Sequence, residues 1–212
     1  YDTVGLKGWG DLKDRRILNG PPRGGATAEA RSLIQVVTGL EEGKGYEGIQ
    51  SDWSQMATTI TEGTSDAAVL PEFIPSDRPL QALSAGKMTF WSIPKVMYES
   101  EPMQKILSAP GSAPFQLTIE QMQALGDNAT IVSEDDTFRT RGSVGGNCVN
   151  ASMSDELAYQ LTKAHIETLD EIYAKAPYAR NVGFEELGAK QSGMCGPNPV
   201  KYHSGATRAW EE

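Results

Sequence analysis

One alternation over roughly the first ninety residues constrains this chain more than any other feature. Arg15–Asn19 reads as a short strand, and Gly20-Pro21-Pro22-Arg23-Gly24-Gly25 as a loop. A helix follows from Ala28 to Thr38, because Ala30, Leu33, Ile34 and Val37 recur at helical spacing. Thr27 is placed to cap its start and Gly39 to end it. Glu47–Gln50 is a weaker strand. Ser54 is the expected cap of a helix through Met56, Ala57 and Ile60, stopped at Gly63. Asp66–Leu70 is a nearly continuous apolar run of strand length, the pattern of a parallel strand buried on both faces. A helix around Leu80–Leu83 and a strand over Met88–Ile93 complete the series. Strands joined through helices by short loops cross over right-handedly onto a parallel sheet, so the fold class is α/β.

Beyond Pro94 the rhythm changes. A short helix near Met103–Leu107 precedes Pro110, Gly111, Ser112 and Pro114, which read as a linker or exposed loop. A helix over Ile119–Leu125 and a polar stretch from Asp135 to Arg141 follow. The longest helical pattern runs from Asp155 to Ala176, with Leu157, Leu161, Ala164, Leu169 and Ile172 facing inward and Ser154 as its cap. Asp155 and Glu156 oppose the positive end of its dipole. No internal repeat or low-complexity tract occurs.

Composition narrows the function. With 28 Asp and Glu against 19 Lys and Arg, the net charge is −9, the wrong sign for a protein that neutralises phosphates, so nucleic acid is excluded as a partner. No apolar run reaches membrane-spanning length. Two histidines and two cysteines leave few ligands for a transition metal, and no metal or cofactor is expected. The chain opens Tyr1-Asp2-Thr3 with no basic or apolar leader. The expectation is a signal peptide already removed, or a longer parent chain.

Three local features could carry chemistry. The loop Arg23, Gly24, Gly25, Ala26, Thr27 lies between a strand and a helix. Bare backbone N–H groups at the positive helix end can there receive an anion, with Arg23 offering a guanidinium fork. It lacks the Gly-Lys-Ser/Thr of a nucleoside-triphosphate loop and the glycine spacing of a dinucleotide fingerprint. An ordinary tight turn is the competing reading. Glu72 and Phe73 follow the carboxyl end of the Asp66–Leu70 strand, where α/β sheets bind ligands. A solvated Glu72 and a core Phe73 would serve equally. Catalytic motifs are absent: His165 lies mid-helix, and the adjacent His203 and Ser204 have no acidic residue nearby in sequence. No catalytic residue is therefore assigned. Cys148 and Cys195 would pair in an oxidising compartment or sit apart as buried thiols, and the sequence leaves both open.

Taken together, three segments resemble the TAXI-type substrate-binding proteins of TRAP transporters. Gly10-Asp11-Leu12-Lys13-Asp14-Arg15-Arg16-Ile17 with the loop to Thr27 is similar to that family's "DLKGKRV…G…GSGT". Glu62-Gly63-Thr64-Ser65-Asp66-Ala67-Ala68 is similar to its "G-x-x-DA" lead-in. Leu157–Lys163 and His203–Arg208 resemble its "vYxlTK" helix and closing "HpGAxrYY". The resemblance implies a periplasmic, non-enzymatic, monomeric solute receptor with a type II binding-protein clamshell of two parallel or mixed-sheet lobes. Its ligand would be a small carboxylate, an amino acid or dicarboxylate, passed to TRAP membrane subunits. Residues 1–13 would cross from the first lobe, 14–93 form the second, and 94–212 return to complete the first. Gly24-Gly25-Ala26 stands where the family has Ser-Gly-Thr, removing two hydroxyl donors. Family members carry a further segment before this point, so the first lobe is expected to be incomplete. An enzyme on the same doubly wound scaffold and a clamshell sensor module are the alternatives.

Overall fold

The computed structural model describes residues 1–176, 179 and 201–212. Its centre is β1 (Arg16–Leu18), with Ile17 and Leu18 fully buried. Helix α1 (Gly25–Thr38) returns the chain to β2 (Glu47–Ile49), and α2 (Met56–Thr61) leads to β3 (Ala67–Ala68). The three strands form one parallel sheet in the order β2-β1-β3, with Ile17 opposite Gly48 and Ala67. The α/β alternation is thus observed. Asp66 fixes the β1–β3 pair at its start by accepting hydrogen bonds from the Arg16 backbone at 2.9 Å and its guanidinium at 2.7 Å.

Three expectations for this region are corrected. The strand expected over Asp66–Leu70 narrows to Ala67–Ala68, with Ala68 exposed. It is an outer strand, paired with β1 alone among the described residues, and with Ala68 exposed it is not covered on both faces as a buried parallel strand is. Thr27 does not cap α1. Gly24 occupies the cap position, and the Thr27 hydroxyl donates to Pro21 O at 2.6 Å, closing the preceding loop on itself. Ser54 sits inside a 3-10 turn, Trp53–Gln55, ahead of α2 and caps nothing. Gly39 ends α1 as expected, in the left-handed conformation (φ 74°) with its N–H on Gln35 O.

After α3 (Asp77–Ala85), β4 (Met88–Trp91) leaves this sheet and pairs in parallel with β6 (Ala129–Val132). Between them lie α4 (Lys95–Tyr98), α5 (Glu101–Leu107), β5 (Ser112–Thr118) and α6 (Ile119–Met122). The stretch read as a linker is therefore the start of a seven-residue strand, with Ser112 buried and Pro114 within it. Strand β5 pairs with β7 (Thr137–Ser143), formed from the polar segment, in which Phe138 and Arg139 are buried. Ile119 N–H donates to Asp136 O and Val144 N–H to Gly111 O, so these two run antiparallel.

Three apolar clusters hold these elements. Leu12, Ile17, Ile34 and Tyr46 lie between sheet and α1. Leu33, Val36 and Val37 of α1 pack against Ile93, Tyr98, Met103 and Leu107. Leu83, Leu117, Met122, Leu125 and Phe138 form the third cluster.

The described chain divides into two compact units, residues 1–107 with 114–142, and 108–113 with 143–212. Residues 94–107 and 114–142, assigned from sequence to the return segment, cluster with 1–93. In the second unit, the long helix expected over 155–176 is two, α7 (Asp155–Glu167) and α8 (Leu169–Lys175), interrupted at Thr168. Ser154 caps α7 as expected, accepting from Leu157 N–H. The buried face of α7 is Ala158 and Tyr159, whereas Leu157 and Leu161 are 50% and 53% exposed, reversing the expected orientation. The partner on the buried face is α9 (Ser204–Glu211). Gly205 lies so close to the Asp155 carbonyl that a Cβ there would collide with backbone, so only glycine permits this approach. Among the described residues no helix is long and apolar enough to cross a membrane.

Candidate functional site

The parallel sheet has one edge where three chain segments emerge from strand carboxyl ends. Residues 19–24 follow β1 and lead to α1, residues 50–55 follow β2, and residues 69–76 follow β3 and lead to α3. This is the edge at which α/β sheets receive ligands, because helix N-termini and loop backbone face it while the strands fix their spacing.

Beneath it lies a polar relay. Asn19, fully buried at the end of β1, accepts from Gln50 Nε2 at 3.1 Å and donates to Glu42 Oε2 at 2.8 Å. Glu42 also receives the Arg31 guanidinium of α1, with Nη2 at 2.8 Å. Hydrogen bonding from Arg31 holds the Glu42 carboxyl below the usual carboxylate range. The relay thus ties the loops after β1 and β2 to the first helix. Gly20 lets the loop turn: its φ is 118°, and a Cβ there would lie 2.9 Å from the Thr27 hydroxyl. Its carbonyl accepts from Ser51 N–H at 3.1 Å, a second tie between the two loops.

The residues singled out from sequence lie on this edge in different states. Arg23, Gly24 and Gly25 are exposed ahead of and at the start of α1, Ala26 is half-buried, and Thr27 is buried in its bond to Pro21. Arg23 has no ion-pair partner among the described residues. Glu72 is engaged within the protein: Arg78 Nε donates to Oε1 at 2.7 Å, Arg78 Nη2 to Oε2 at 3.0 Å, and Ser76 Oγ to Oε2 at 3.2 Å. Phe73 is 48% exposed.

Sequence reasoning missed the residues that join the outer loops. Arg78, at the start of α3, lies over the Trp53 ring at 4.5 Å from its centroid, and Trp53 follows β2. The loops of the two strands flanking β1 are thereby connected. Arg141 of β7 also reaches α1, pairing with Glu29 at 2.8 Å. No local motif marks either arginine, since the contacts of Arg78 with Trp53 and of Arg141 with Glu29 join segments distant in sequence.

The remaining candidates behave otherwise. Ser204 Oγ donates to Asp155 Oδ1 at 2.6 Å, and His203 Nδ1 accepts from Gly205 N–H at 3.2 Å. His203 thus caps α9 while Ser204, the first residue of that helix, bonds to Asp155, and the two are not hydrogen-bonded to each other as base and nucleophile. Among the described residues no cluster of His, Cys, Asp or Glu could hold a metal. Cys148 is exposed, and the proposed partner Cys195 lies outside the described residues.

The carboxyl edge of the parallel sheet thus gathers exposed loops, a helix start and an aromatic–cation pair. Residues 2–212 match the NMT1-like family, and the chain belongs to it. It is a periplasmic-binding-protein-like family whose members are in general extracytoplasmic solute-binding proteins. No curated protein matches the sequence.

Proposed function

We propose that this protein is the solute receptor of a TRAP-type transporter, of the TAXI kind, and that it binds a small carboxylate-bearing metabolite, an amino acid or dicarboxylate, without chemical turnover. The observation that carries the reading is the meeting of three loops at the carboxyl edge of the β2-β1-β3 sheet, with the exposed start of α1 among them. Backbone N–H groups of Gly24 to Thr27 supply unsatisfied donors and the positive end of the dipole, both suited to a carboxylate. Arg23 adds a cation that can settle on the ligand. Phe73 offers an apolar flank. The acidic net charge does not oppose this, because the local loop rather than the whole chain sets the field at the site. The clamshell fold, periplasmic location and delivery to membrane subunits belong to the same reading.

A thermal-shift series with succinate, L-glutamate and L-glutamine tests it. A probe present at a hundred times its dissociation constant should add roughly 2.7 kcal/mol of stability. The expected result is a concentration-dependent rise in Tm with at least one probe, reduced in Arg23→Ala. No rise with any of the three would contradict the carboxylate reading.

A further inference from the structure

We propose that Arg78 is a ligand-binding residue of this edge and that it selects for a second carboxylate on the bound molecule. The proposal rests on the carboxylate-receptor reading and adds a residue and a selectivity to it.

A guanidinium has five N–H donors arranged along two usable edges. The Nε/Nη2 edge of Arg78 is occupied by Glu72, at 2.7 and 3.0 Å. One of its faces is covered by Trp53. The Nη1/Nη2 edge has no hydrogen-bond partner among the described residues, and the side chain keeps 35% of its surface exposed. Glu72 is itself held by a further hydrogen bond, which Oε2 accepts from the Ser76 hydroxyl. The pair is therefore a fixed support with one donor edge left over.

Order separates Arg78 from Arg23. Arg23 is exposed, without an ion-pair partner among the described residues, and must lose rotamer freedom when it meets an anion. Arg78 has already lost that freedom to Glu72 and Trp53, so its remaining donors bind at lower entropic cost. Glu72 cancels most of the net charge, which makes the selection geometric rather than a matter of field strength. Topology supplies the second end of the ligand. The start of α1 follows β1 and the 69–76 segment follows its direct neighbour β3, so a molecule docked by one carboxylate at α1 has Arg78 at the start of α3, beyond the adjoining loop.

The test is a paired titration of the whole chain with succinate and butyrate, which share a four-carbon length and differ by one carboxylate. The wild-type protein is expected to bind succinate at least tenfold more tightly, the size of one charge-assisted hydrogen-bonded contact. Arg78→Lys retains the charge but not the fork, and Arg78→Ala removes both; each should collapse the preference to about threefold or less. Arg23→Ala should weaken both probes while leaving the preference intact. Trp53 emission, isolated by comparison with Trp53→Phe, should change on adding succinate and not butyrate. A wild-type protein that binds both probes equally, or an Arg78→Lys variant that keeps the preference, would overturn the assignment and leave the receptor reading standing. Binding of neither succinate, butyrate nor L-glutamate would overturn both.

Discussion

The parallel sheet with α1 and the helical pair α7–α9 are held by opposite means. Around β1 the stabilising groups are apolar and buried: Leu12, Ile17, Ile34 and Tyr46 pack as one cluster, with Asn19 and Asp66 paired beside it, while the buried Tyr46 hydroxyl and Trp91 indole N–H have no hydrogen-bond partner among the described residues. Between α7 and α9 the contact is a backbone approach at Gly205, rimmed by polar side chains. Arg208 lies over the Tyr159 ring at 4.1 Å and pairs with Glu156 at 2.8 Å. The Tyr159 hydroxyl donates to Glu212 at 2.6 Å, and Lys163 joins the same carboxylate at 3.0 Å. The hydrogen bonds that Lys163 donates to the Tyr159 hydroxyl and to Glu212 push its ammonium well above its ordinary range. Exposed pairs of this kind contribute little individually. The first region is thus fixed by volume and the second by shape and partner geometry.

That contrast can be broken most strongly in the sheet. Ile17→Ala removes a fully buried side chain from the central strand and should cost about 2–5 kcal/mol, read as a lowered denaturant midpoint. A loss under about 1 kcal/mol would mean the cluster collapses around the cavity. Gly205→Ala should follow, at about 1–3 kcal/mol, because the added Cβ must displace the Asp155 backbone rather than a flexible side chain. Amide exchange should locate the loss in α9 while the amides of β1 remain protected.

Acid sharpens the difference. The Asp66 carboxyl is held low, first by the side-chain hydrogen bond from Arg16, and Glu42 is held low by Arg31. A depressed folded-state value gives stability that is complete above the ordinary carboxylate range, near pH 4, and is lost as pH falls through the folded value. Tm should therefore hold between pH 6 and 5 and decline below pH 4. Asp66→Asn should be less stable at pH 6 and show a shallower decline. The smallest effect belongs to Leu161→Gln on the outer face of α7, expected within about 0.5 kcal/mol because that side chain is already half in water. A loss comparable to Ile17→Ala would place Leu161 in a core.

The same contrast explains what could be read in advance. Helix α1 and β1 were legible because burial on a single face imposes spacing on Ala30, Ile34 and their neighbours, and because Gly39 carries its own backbone requirement. Strand β7 was not, since Thr137–Ser143 is half-solvated and its buried Arg139 is satisfied by Asp135 at 2.6 Å. Leu157 and Leu161 misled because apolar spacing shows that a stripe exists without saying which neighbour covers it. Tyr159 and the glycine of a distant helix decided the orientation of α7 instead. At the candidate site, the loop after β1 and the segment after β3 follow from the rule that ligands meet strand carboxyl ends. Arg78 escaped because its meaning depends on Trp53, which precedes it by a whole strand–helix unit.

Hydrogen–deuterium exchange of the whole chain, with and without saturating succinate or L-glutamate, tests the central claim most directly. Binding at the carboxyl edge predicts slowed exchange in residues 19–27, 50–56 and 69–78, with the strand interiors unchanged. Protection confined to other segments, or none with either probe, would contradict it.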